Sequence, residues 1–350
     1  MLLVFALAAL LWGIGLLIGA SRRARIGVVA VLFGLVLLVQ VVLPDGHLLR
    51  EATGGGARPW LILGGLVGMV AVYSWGVRWL GRRGNRVKEN DEVKKAEAFS
   101  ERELERYARH IVLREIGGPG QKRLKQARVL VIGAGGLGAP ALLYLAAAGV
   151  GTIGVIDDDE VENSNLQRQV IHRFEDIGMP KVFSAQTAMQ AQNPDVEVLP
   201  YHRRLSADIA VDLFADFDLI LDGTDNFDTR YLVNRAAVEA GKPLISGALS
   251  QWEGQLSVFD PTRSGPCYRC IFPKAPAPGL APSCAEAGVI GPLPGVIGAM
   301  MAVEAVKLIT GAGAVLRGEM LIYDALYGET RKIGLKRRED CPICGEISGP

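Results

Sequence analysis

A strand, a glycine-rich turn and a helix follow one another directly in the middle of this chain. Residues 128–132 (RVLVI) are an apolar run, residues 133–138 (GAGGLG) follow at once, and helix-like sequence comes next. A second apolar run ends in Asp157, 19 residues beyond Gly138. Such glycines allow a tight turn beside a phosphate, and such an acid binds ribose hydroxyls. The pattern predicts a Rossmann-like, doubly wound α/β sheet that binds a nucleotide, without saying which one.

The distribution of charge separates residues 1–88, the front of the chain, from residues 89–350, its body. The 350 residues allow about two domains, and 49% hydrophobic with 21% charged residues exclude disorder of the whole chain. Residues 1–88 hold ten of the 38 Lys and Arg but two of the 37 Asp and Glu, which leaves 28 against 35 for the body. Because the body is acidic and has no basic stripe, we expect no nucleic-acid partner.

Three stretches of the front carry no charged residue, namely residues 1–20, 26–44 and 59–77. Each is long enough to cross about 30 Å of hydrocarbon as a helix. A cleaved signal peptide is the alternative for the first stretch, but its basic residues follow the apolar run instead of preceding it. The sequence therefore predicts a membrane anchor over residues 1–80 with three transmembrane helices.

Basic residues set the expected orientation. They cluster at residues 22–25 and again at residues 78–88, and such clusters stay on the cytoplasmic side. We therefore expect a multi-pass protein of the inner or plasma membrane. A charged linker, residues 81–98, would lead to a cytoplasmic domain over residues 99–350.

Four of the five cysteines form two CxxC pairs, Cys267 with Cys270 and Cys341 with Cys344. Four thiolates match a closed structural zinc site, although 70 residues between the pairs leave redox chemistry as an alternative. Cys284 has no partner in this pattern. A small buried side chain and a reactive nucleophile are both open interpretations of it.

Polar residues also follow other strand-like runs. Asp225 comes shortly after the apolar run at residues 218–221, and the pattern alone favours a helix N-cap there. Arg168 and Lys181 follow the nucleotide acid, and they supply two cations near the expected phosphates.

Several motifs together resemble the MoeB/ThiF/HesA family, whose members are related to the activating enzymes of ubiquitin-like modifiers. They are RYARHIVL, RVLVIGAGGLG, GVIDDDEVENSNLQRQVIH, LDGTDN, GPCYRC, SCAEAGVIGPLPGVIGAMMAVEAVK and CPICG. The resemblance runs from about residue 99 to residue 345 in one order and does not include residues 1–98. It implies a ThiF/MoeB-type sheet whose C-terminal part is clipped by zinc.

The resemblance also implies an activity. Family members use ATP and Mg²⁺ to adenylate the C-terminal glycine of a small ubiquitin-fold sulfur carrier, like MoaD or ThiS, which ends in Gly-Gly. Pyrophosphate is released, and the product serves sulfur transfer of the molybdopterin or thiamine type. Because no rhodanese-like extension follows the body, we expect a separate sulfur donor.

The resemblance assigns residues to this reaction. The nucleotide would be held by Gly133, Gly135, Gly136, Asp157, Ser164, Asn165, Leu166, Gln167, Arg168 and Lys181. Asp225 would bind magnesium instead of capping a helix, and Arg109 would reach the phosphates of a neighbouring subunit in a homodimer. Zn²⁺ would be held by Cys267, Cys270, Cys341 and Cys344. Cys284 would lie where relatives form a carrier or persulfide link.

Two other functions are weighed against this one. A Rossmann oxidoreductase using NAD is supported by the glycine turn and Asp157 alone. A membrane-anchored protein that docks a ubiquitin-fold partner without catalysis is disfavoured by the intact Arg168, Lys181 and Asp225.

Overall fold

The computed structural model describes residues 2–19, 21–56, 58–66, 68–69, 73, 99–276 and 287–346. The chain divides into two compact units, residues 1–98 and residues 99–350. The predicted linker at residues 81–98 lies outside the described residues, and so does Cys284.

The described part of the N-terminal unit consists of helices. They are α1 (Leu2–Leu17), α2 (Arg22–Val42), α3 (Leu48–Ala52) and a helical stretch at residues 58–66. Trp60 is buried, and its ring centroid lies 6.0 Å from that of Phe5 and 5.5 Å from that of Phe33. Its indole N–H donates to the carbonyl of Thr53 at 3.1 Å. The helices of this unit therefore pack around one tryptophan whose polar atom is satisfied.

The prediction of three transmembrane helices is not supported. Among the described residues, two helices are long and apolar enough to cross a membrane, Ala24–Val42 and Pro292–Thr310. Half of the second is buried inside the C-terminal unit, which is typical of a core helix. α1 has 16 residues, fewer than the ~20 that a span needs, and the third predicted stretch is described only in part. The described residues of the N-terminal unit therefore contain one candidate span of full length.

The C-terminal unit is built on an eight-stranded sheet. Its strands are β1 (Arg128–Ile132), β2 (Thr152–Asp157), β3 (Glu197–His202), β4 (Leu219–Asp222), β5 (Leu244–Leu249), β6 (Glu253–Phe259), β7 (Glu319–Asp324) and β8 (Glu329–Gly334). The order is β3-β2-β1-β4-β5-β6-β7-β8. β1 to β5 are parallel and β6 to β8 continue antiparallel. The Rossmann-like sheet predicted from the glycine turn is confirmed.

Eight helices are described in this unit. They are α4 (Glu101–Ile111), α5 (Gly117–Gln126), α6 (Gly138–Ala148), α7 (Lys181–Gln192), α8 (Ala207–Ala215), α9 (Phe227–Glu239), α10 (Tyr268–Ile271) and α11 (Pro292–Thr310). The largest buried cluster joins the sheet with α6, α7 and α11, and a second joins it with α8 and α9. Because both faces of the central parallel strands are covered, β1, β2 and β4 are buried almost throughout and do not alternate between apolar and polar residues.

The strand order determines where a ligand fits. β1 pairs with β2 on one side and with β4 on the other, so consecutive strands wind away in opposite directions from β1. The connections leave a crevice at the carboxyl ends of β1 and β4. In doubly wound sheets this is where ligands bind.

Candidate functional site

The turn after β1 has a shape that only glycine allows. Gly133 has φ +91°, a conformation that is unfavourable for residues with a side chain. A Cβ placed on Gly138 would lie 1.9 Å from the carbonyl oxygen of Gly133. The turn therefore folds tightly back and places the N-terminus of α6 at the carboxyl edge of the sheet, where its N–H groups favour an anion.

A cavity of about 620 Å³ opens at this edge. This volume is within the range of small-molecule sites, roughly 300–1,000 Å³. Of the residues singled out from the sequence, it brings together Gly133, Gly135, Gly136, Asp157, Asn165, Arg168, Lys181 and Asp225. Residues separated by up to 92 positions in sequence thus line one space.

Asp157 lies at the end of β2, beside the glycine turn. Its carboxylate accepts the backbone N–H of Ala134 at 2.7 Å and that of Asp159 at 2.9 Å. Burial raises the pKa of Asp157, although the two N–H groups and nearby Lys181 oppose that shift. The carboxylate thereby fixes the turn and remains at the cavity wall, where remaining lone pairs can accept ribose hydroxyls.

Two cations approach the cavity from the segment after β2. Lys181 begins α7, and its ammonium lies 2.7 Å from the carboxylate of Asp159, with its side chain 7% exposed. The guanidinium of Arg168 donates to the carbonyl of Ser164 at 3.1 Å. A buried ammonium held by one exposed carboxylate still has donors for an anion, so both cations can bind phosphate oxygens.

Asp225 follows β4 and lines the cavity. The capping interpretation of this residue is wrong, because Asn226 caps α9 by accepting the N–H of Thr229 at 2.9 Å. The carboxylate of Asp222 accepts the N–H and hydroxyl of Thr224 at 3.0 and 2.6 Å, which fixes the loop that carries Asp225. Carboxylate oxygens are the ligands that Mg²⁺ prefers, so the residue fits a magnesium-binding role.

Other predicted residues lie outside the cavity lining. Ser164, Leu166 and Gln167 are not among the described residues that line it. Ser164 instead donates to Glu162 at 3.1 Å. Arg109 is exposed in the last turn of α4 and does not line the cavity of its own chain.

The sequence reasoning missed His172, which supports the glycine turn from behind. The buried imidazole donates through Nε2 to the carbonyl of Ala134 at 3.0 Å, and Nδ1 lies 2.8 Å from the hydroxyl of Ser184. That hydroxyl lies 2.7 Å from Asp176. Burial lowers the pKa of His172, and nearby Lys181 adds to this shift. Its proximity in sequence to Arg168 was the available signal.

Sequence reasoning also missed the far half of the cavity, which is the half away from the glycine turn. Its lining includes Ser246, Ala248, Leu249, Ser250, Glu253 and Gln255, which belong to β5, β6 and the turn between them. The signal for Ser246, Ala248 and Leu249 was their place toward the C-terminal end of β5, the same rule that located Asp225. Glu253 and Gln255 begin the antiparallel β6 and had no such signal. This half extends the cavity beyond the nucleotide motifs and provides room for a second substrate.

The two CxxC pairs come together in one buried cluster, with all four sulfurs within 4.8 Å of one another. Three pairs of sulfurs are 3.9, 3.6 and 3.4 Å apart. Thiolates at 2.3 Å from a tetrahedral zinc ion lie about 3.8 Å apart, so the cluster fits zinc. All four cysteines are free of disulfides, and the backbone N–H of Arg338 donates to Cys270 at 3.5 Å. The 70-residue separation that weakened the zinc interpretation is bridged by the fold.

Comparison with known sequences agrees with this geometry. Residues 107–343 match the ThiF family. The sulfur carrier protein adenylyltransferase of Thermus thermophilus is 52% identical over 252 residues, which are 71% of this chain and 93% of that protein. The probable adenylyltransferase/sulfurtransferase MoeZ of Mycobacterium tuberculosis is 53% identical over 258 residues, 73% of this chain and 66% of MoeZ. The SAMP-activating enzyme E1 of Haloferax volcanii is 48% identical over 244 residues, 70% of this chain and 90% of that enzyme.

Solved structures share the fold. PaaA superimposes with a TM-score of 0.60 at 25% identity over 69% of this chain and 76% of its own. MccB of E. coli gives 0.61 at 22% identity over 69% of this chain and 72% of its own. The three curated relatives are named as an adenylyltransferase, an adenylyltransferase/sulfurtransferase and an activating enzyme, so they give the NAD alternative no support.

Proposed function

The chain belongs to the ThiF family, and from this premise we propose that it is an adenylyltransferase that activates a small ubiquitin-fold sulfur carrier with ATP. The product would be an acyl adenylate at the C-terminal glycine of the carrier, and pyrophosphate would leave. One observation carries the proposal. One cavity is lined by the glycine turn, by Asp157 at the proposed ribose site, by the cations Arg168 and Lys181, and by Asp225 at the proposed magnesium site. The same cavity has room for a second substrate.

The chemistry follows from position and charge. A carboxylate oxygen of the carrier attacks the α-phosphorus of ATP, and the bond to the bridging oxygen of pyrophosphate breaks. No general base is required, because a C-terminal carboxylate is ionised at neutral pH. Arg168 and Lys181 lie where they can offset the charge of the phosphates as the leaving group departs. Asp225 would hold Mg²⁺, which supplies further charge neutralisation.

The carrier tail would enter through the half of the cavity that β5 and β6 line. A flexible Gly-Gly tail is narrow enough to reach a buried phosphate while its globular body stays outside. The body of the carrier must then contact the surface around the entrance, so that surface should carry more aromatic and apolar side chains than an ordinary exposed surface.

The turns at the entrance carry large apolar side chains. Trp252, in the turn between β5 and β6, is 41% exposed, while Leu326 and Tyr327, in the turn between β7 and β8, are 53% and 77% exposed. A backbone hydrogen bond of 2.8 Å from Ala325 to Trp252 joins the two turns. Trp252 lies between residues that line the cavity on either side. We infer that these two turns dock the body of the carrier.

A homodimer is proposed for a different surface. Val170, Phe174, Ile177, Met179 and Phe183 are 38–76% exposed within one stretch of 14 residues after β2. Apolar residues clustered in this way mark protein interfaces. We propose that a second copy covers them and that its Arg109, on α4, contacts the phosphates in this cavity.

The four-cysteine cluster would bind Zn²⁺ as a structural site. It joins α10 to residues 341–344, which lie close to the end of the chain. Four thiolates leave no open position for a substrate, so the ion would tie these segments together and take no part in the transfer.

Membrane attachment is proposed through α2. Ala24–Val42 has a mean hydropathy of 2.5, and 11% of it is buried within the structure. Alkaline carbonate extraction tests the attachment, because an integral protein stays with the membrane pellet and a peripheral one is released.

The activity is tested by ATP/pyrophosphate exchange with the full chain in detergent, Mg²⁺ and ubiquitin-fold carriers ending in Gly-Gly. We expect exchange that requires a carrier and is lost when its last glycine is removed. A folded, zinc-loaded chain that binds ATP but exchanges no pyrophosphate with any carrier would contradict adenylation and favour a docking role.

A further inference from the structure

One helix connects the two proposed metal sites of the C-terminal unit. α9 begins at Phe227, directly after Asp225 and the N-cap residue Asn226. Two turns further on, Asn234 reaches the cysteine cluster. A regular helix transmits a displacement of one end to the other, so its contacts at both ends decide whether the two sites are coupled.

Asn234 joins α9 to the cluster through both of its polar atoms. Its side chain is fully buried, its Oδ1 accepts the backbone N–H of Tyr268 at 2.8 Å, and its Nδ2 donates to the sulfur of Cys267 at 3.8 Å. A thiolate bound to zinc is a better acceptor than a thiol. This second bond should therefore strengthen when the cluster is loaded.

Tyr268 extends from the cluster to the cavity. It lies between the first two cysteines, and it also lines the cavity. Its ring packs against Phe259, Phe272 and Tyr231 with centroids 5.7, 4.7 and 5.6 Å away. Its hydroxyl interacts with the guanidinium of Arg230.

Arg230 continues the connection to the loop that carries Asp225. It precedes Asn234 by one turn of α9 and is buried. Its guanidinium donates to the carbonyl of Thr224, to that of Gly247 at 2.8 Å and to the hydroxyl of Ser246 at 3.2 Å. The bond to Thr224 holds the peptide immediately before Asp225. A displacement of Arg230 would therefore move the proposed magnesium ligand.

We propose that Asn234 is a positioning residue that couples the four-cysteine cluster to the Thr224–Asp225 loop, through Tyr268 and Arg230. This inference rests on the proposed function in taking Asp225 as the magnesium ligand. Coupling between two binding sites is reciprocal. Zinc in the cluster should therefore tighten the binding of Mg·ATP, and Mg·ATP should tighten the binding of zinc.

The first experiment measures zinc affinity in the full chain in detergent, by competition with a chelator of known affinity. In wild type, saturating Mg·ATP should raise the zinc affinity about tenfold, which is within the typical range for coupling between two binding sites. Asn234→Ala keeps all four thiolates and should bind zinc without this response. The control is Glu239→Ala, an exposed change on the same helix, which should respond like wild type.

The second experiment measures how much Mg²⁺ half-saturates the binding of a fluorescent ATP analogue. Zinc-stripped wild type and zinc-loaded Asn234→Ala should each need about tenfold more Mg²⁺ than zinc-loaded wild type. Tyr268→Phe, which removes only the hydroxyl beside Arg230, gives the same test if Asn234→Ala does not fold.

The outcomes distinguish a failure of the proposed coupling from a failure of the proposed function. Equal Mg²⁺ requirements in wild type, Asn234→Ala and Tyr268→Phe would overturn the coupling and leave the proposed function standing. A wild type that binds no ATP analogue at any Mg²⁺ concentration would contradict the proposed function itself, and the coupling with it.

Discussion

Asp225 and Asp228 are both exposed carboxylates near the start of α9, and they differ in what they face. Asp225 lines the cavity, whereas Asp228 is in the first turn of the helix and is not part of the cavity lining. A carboxylate at a helix N-terminus stabilises the helix by about 0.3–1 kcal/mol. One that binds magnesium in an active site contributes much more, since the ion offsets the charge of the transferring group.

We therefore expect Asp225→Ala to lower carrier-dependent ATP/pyrophosphate exchange by about 10³-fold, a loss typical of removing one charge-stabilising group. Asp228→Ala should stay within a factor of a few of wild type. Both rates are measured at saturating ATP over a range of Mg²⁺ concentrations. Full exchange in Asp225→Ala would remove the magnesium assignment.

His172 predicts a pH dependence of stability. Burial lowers its pKa in the folded protein, while the unfolded chain takes up the proton near pH 6.5. Between these two pKa values the unfolded state binds more protons, so stability rises with pH there. The stability that neutral His172 contributes is complete above about pH 6.5 and is lost as the pH falls toward the pKa of the folded state.

Thermal unfolding of the full chain between pH 7.5 and 5.5 checks this. The unfolding midpoint of wild type should fall on acidification, and His172→Gln, which keeps a donor for Ala134, should show a smaller fall. His202 is an exposed histidine at the end of β3, so His202→Gln should behave like wild type. An unchanged pH slope in His172→Gln would show that another group causes the loss.

At the scale of elements, the sequence predicted the features that are determined by residues close together in the chain. β1, the glycine turn and the acid after β2 were found because apolar runs, glycines and carboxylates have fixed spacings there. The far half of the cavity was not found, because its residues come from β5 and β6 and share no motif. The prediction of three spans is not supported for a related reason: an uncharged stretch does not give the length of its helix, and α1 has 16 residues.

The cap of α9 illustrates the same limit at a finer level. Asp and Asn are about equally good N-caps, so the pattern could not choose between Asp225 and Asn226. The structure chooses Asn226, because its backbone is extended there and its side chain reaches the N–H of Thr229. That choice leaves Asp225 to line the cavity.

The two turns at the cavity entrance give a prediction for carrier binding. Trp252→Ala and Tyr327→Ala remove exposed aromatic surface outside the cavity and leave the nucleotide residues untouched. Each should raise the KM for the carrier about tenfold or more, as loss of an aromatic anchor does, without changing the KM for ATP.

The matched control is Ile333→Ala, because Ile333 is a 44% exposed apolar residue of β8. Exchange kinetics at varied carrier concentration are measured for all three variants. A carrier KM that changes equally in Ile333→Ala, or in none of them, would exclude these turns as the docking surface.

At the scale of the whole molecule, the open question is whether one chain contains a complete site. Arg109 is outside the cavity of its own chain, and an exposed apolar stretch at residues 170–183 is available for a second copy. If the site is shared, a symmetric dimer contains two of them, each with Asp225 from one chain and Arg109 from the other. Arg109→Ala and Asp225→Ala would each be inactive alone.

Co-expression of the two variants with different tags tests this arrangement. In a mixed dimer, the Asp225→Ala chain donates its Arg109 to the site that keeps Asp225, so one of the two sites is intact. Random pairing should restore about a quarter of wild-type exchange, and dimers purified through both tags about half. A site that took Arg109 from its own chain would stay inactive in every combination, because each chain would lack one of the two residues. Exchange by the doubly tagged dimer therefore decides whether the chain works alone or in pairs.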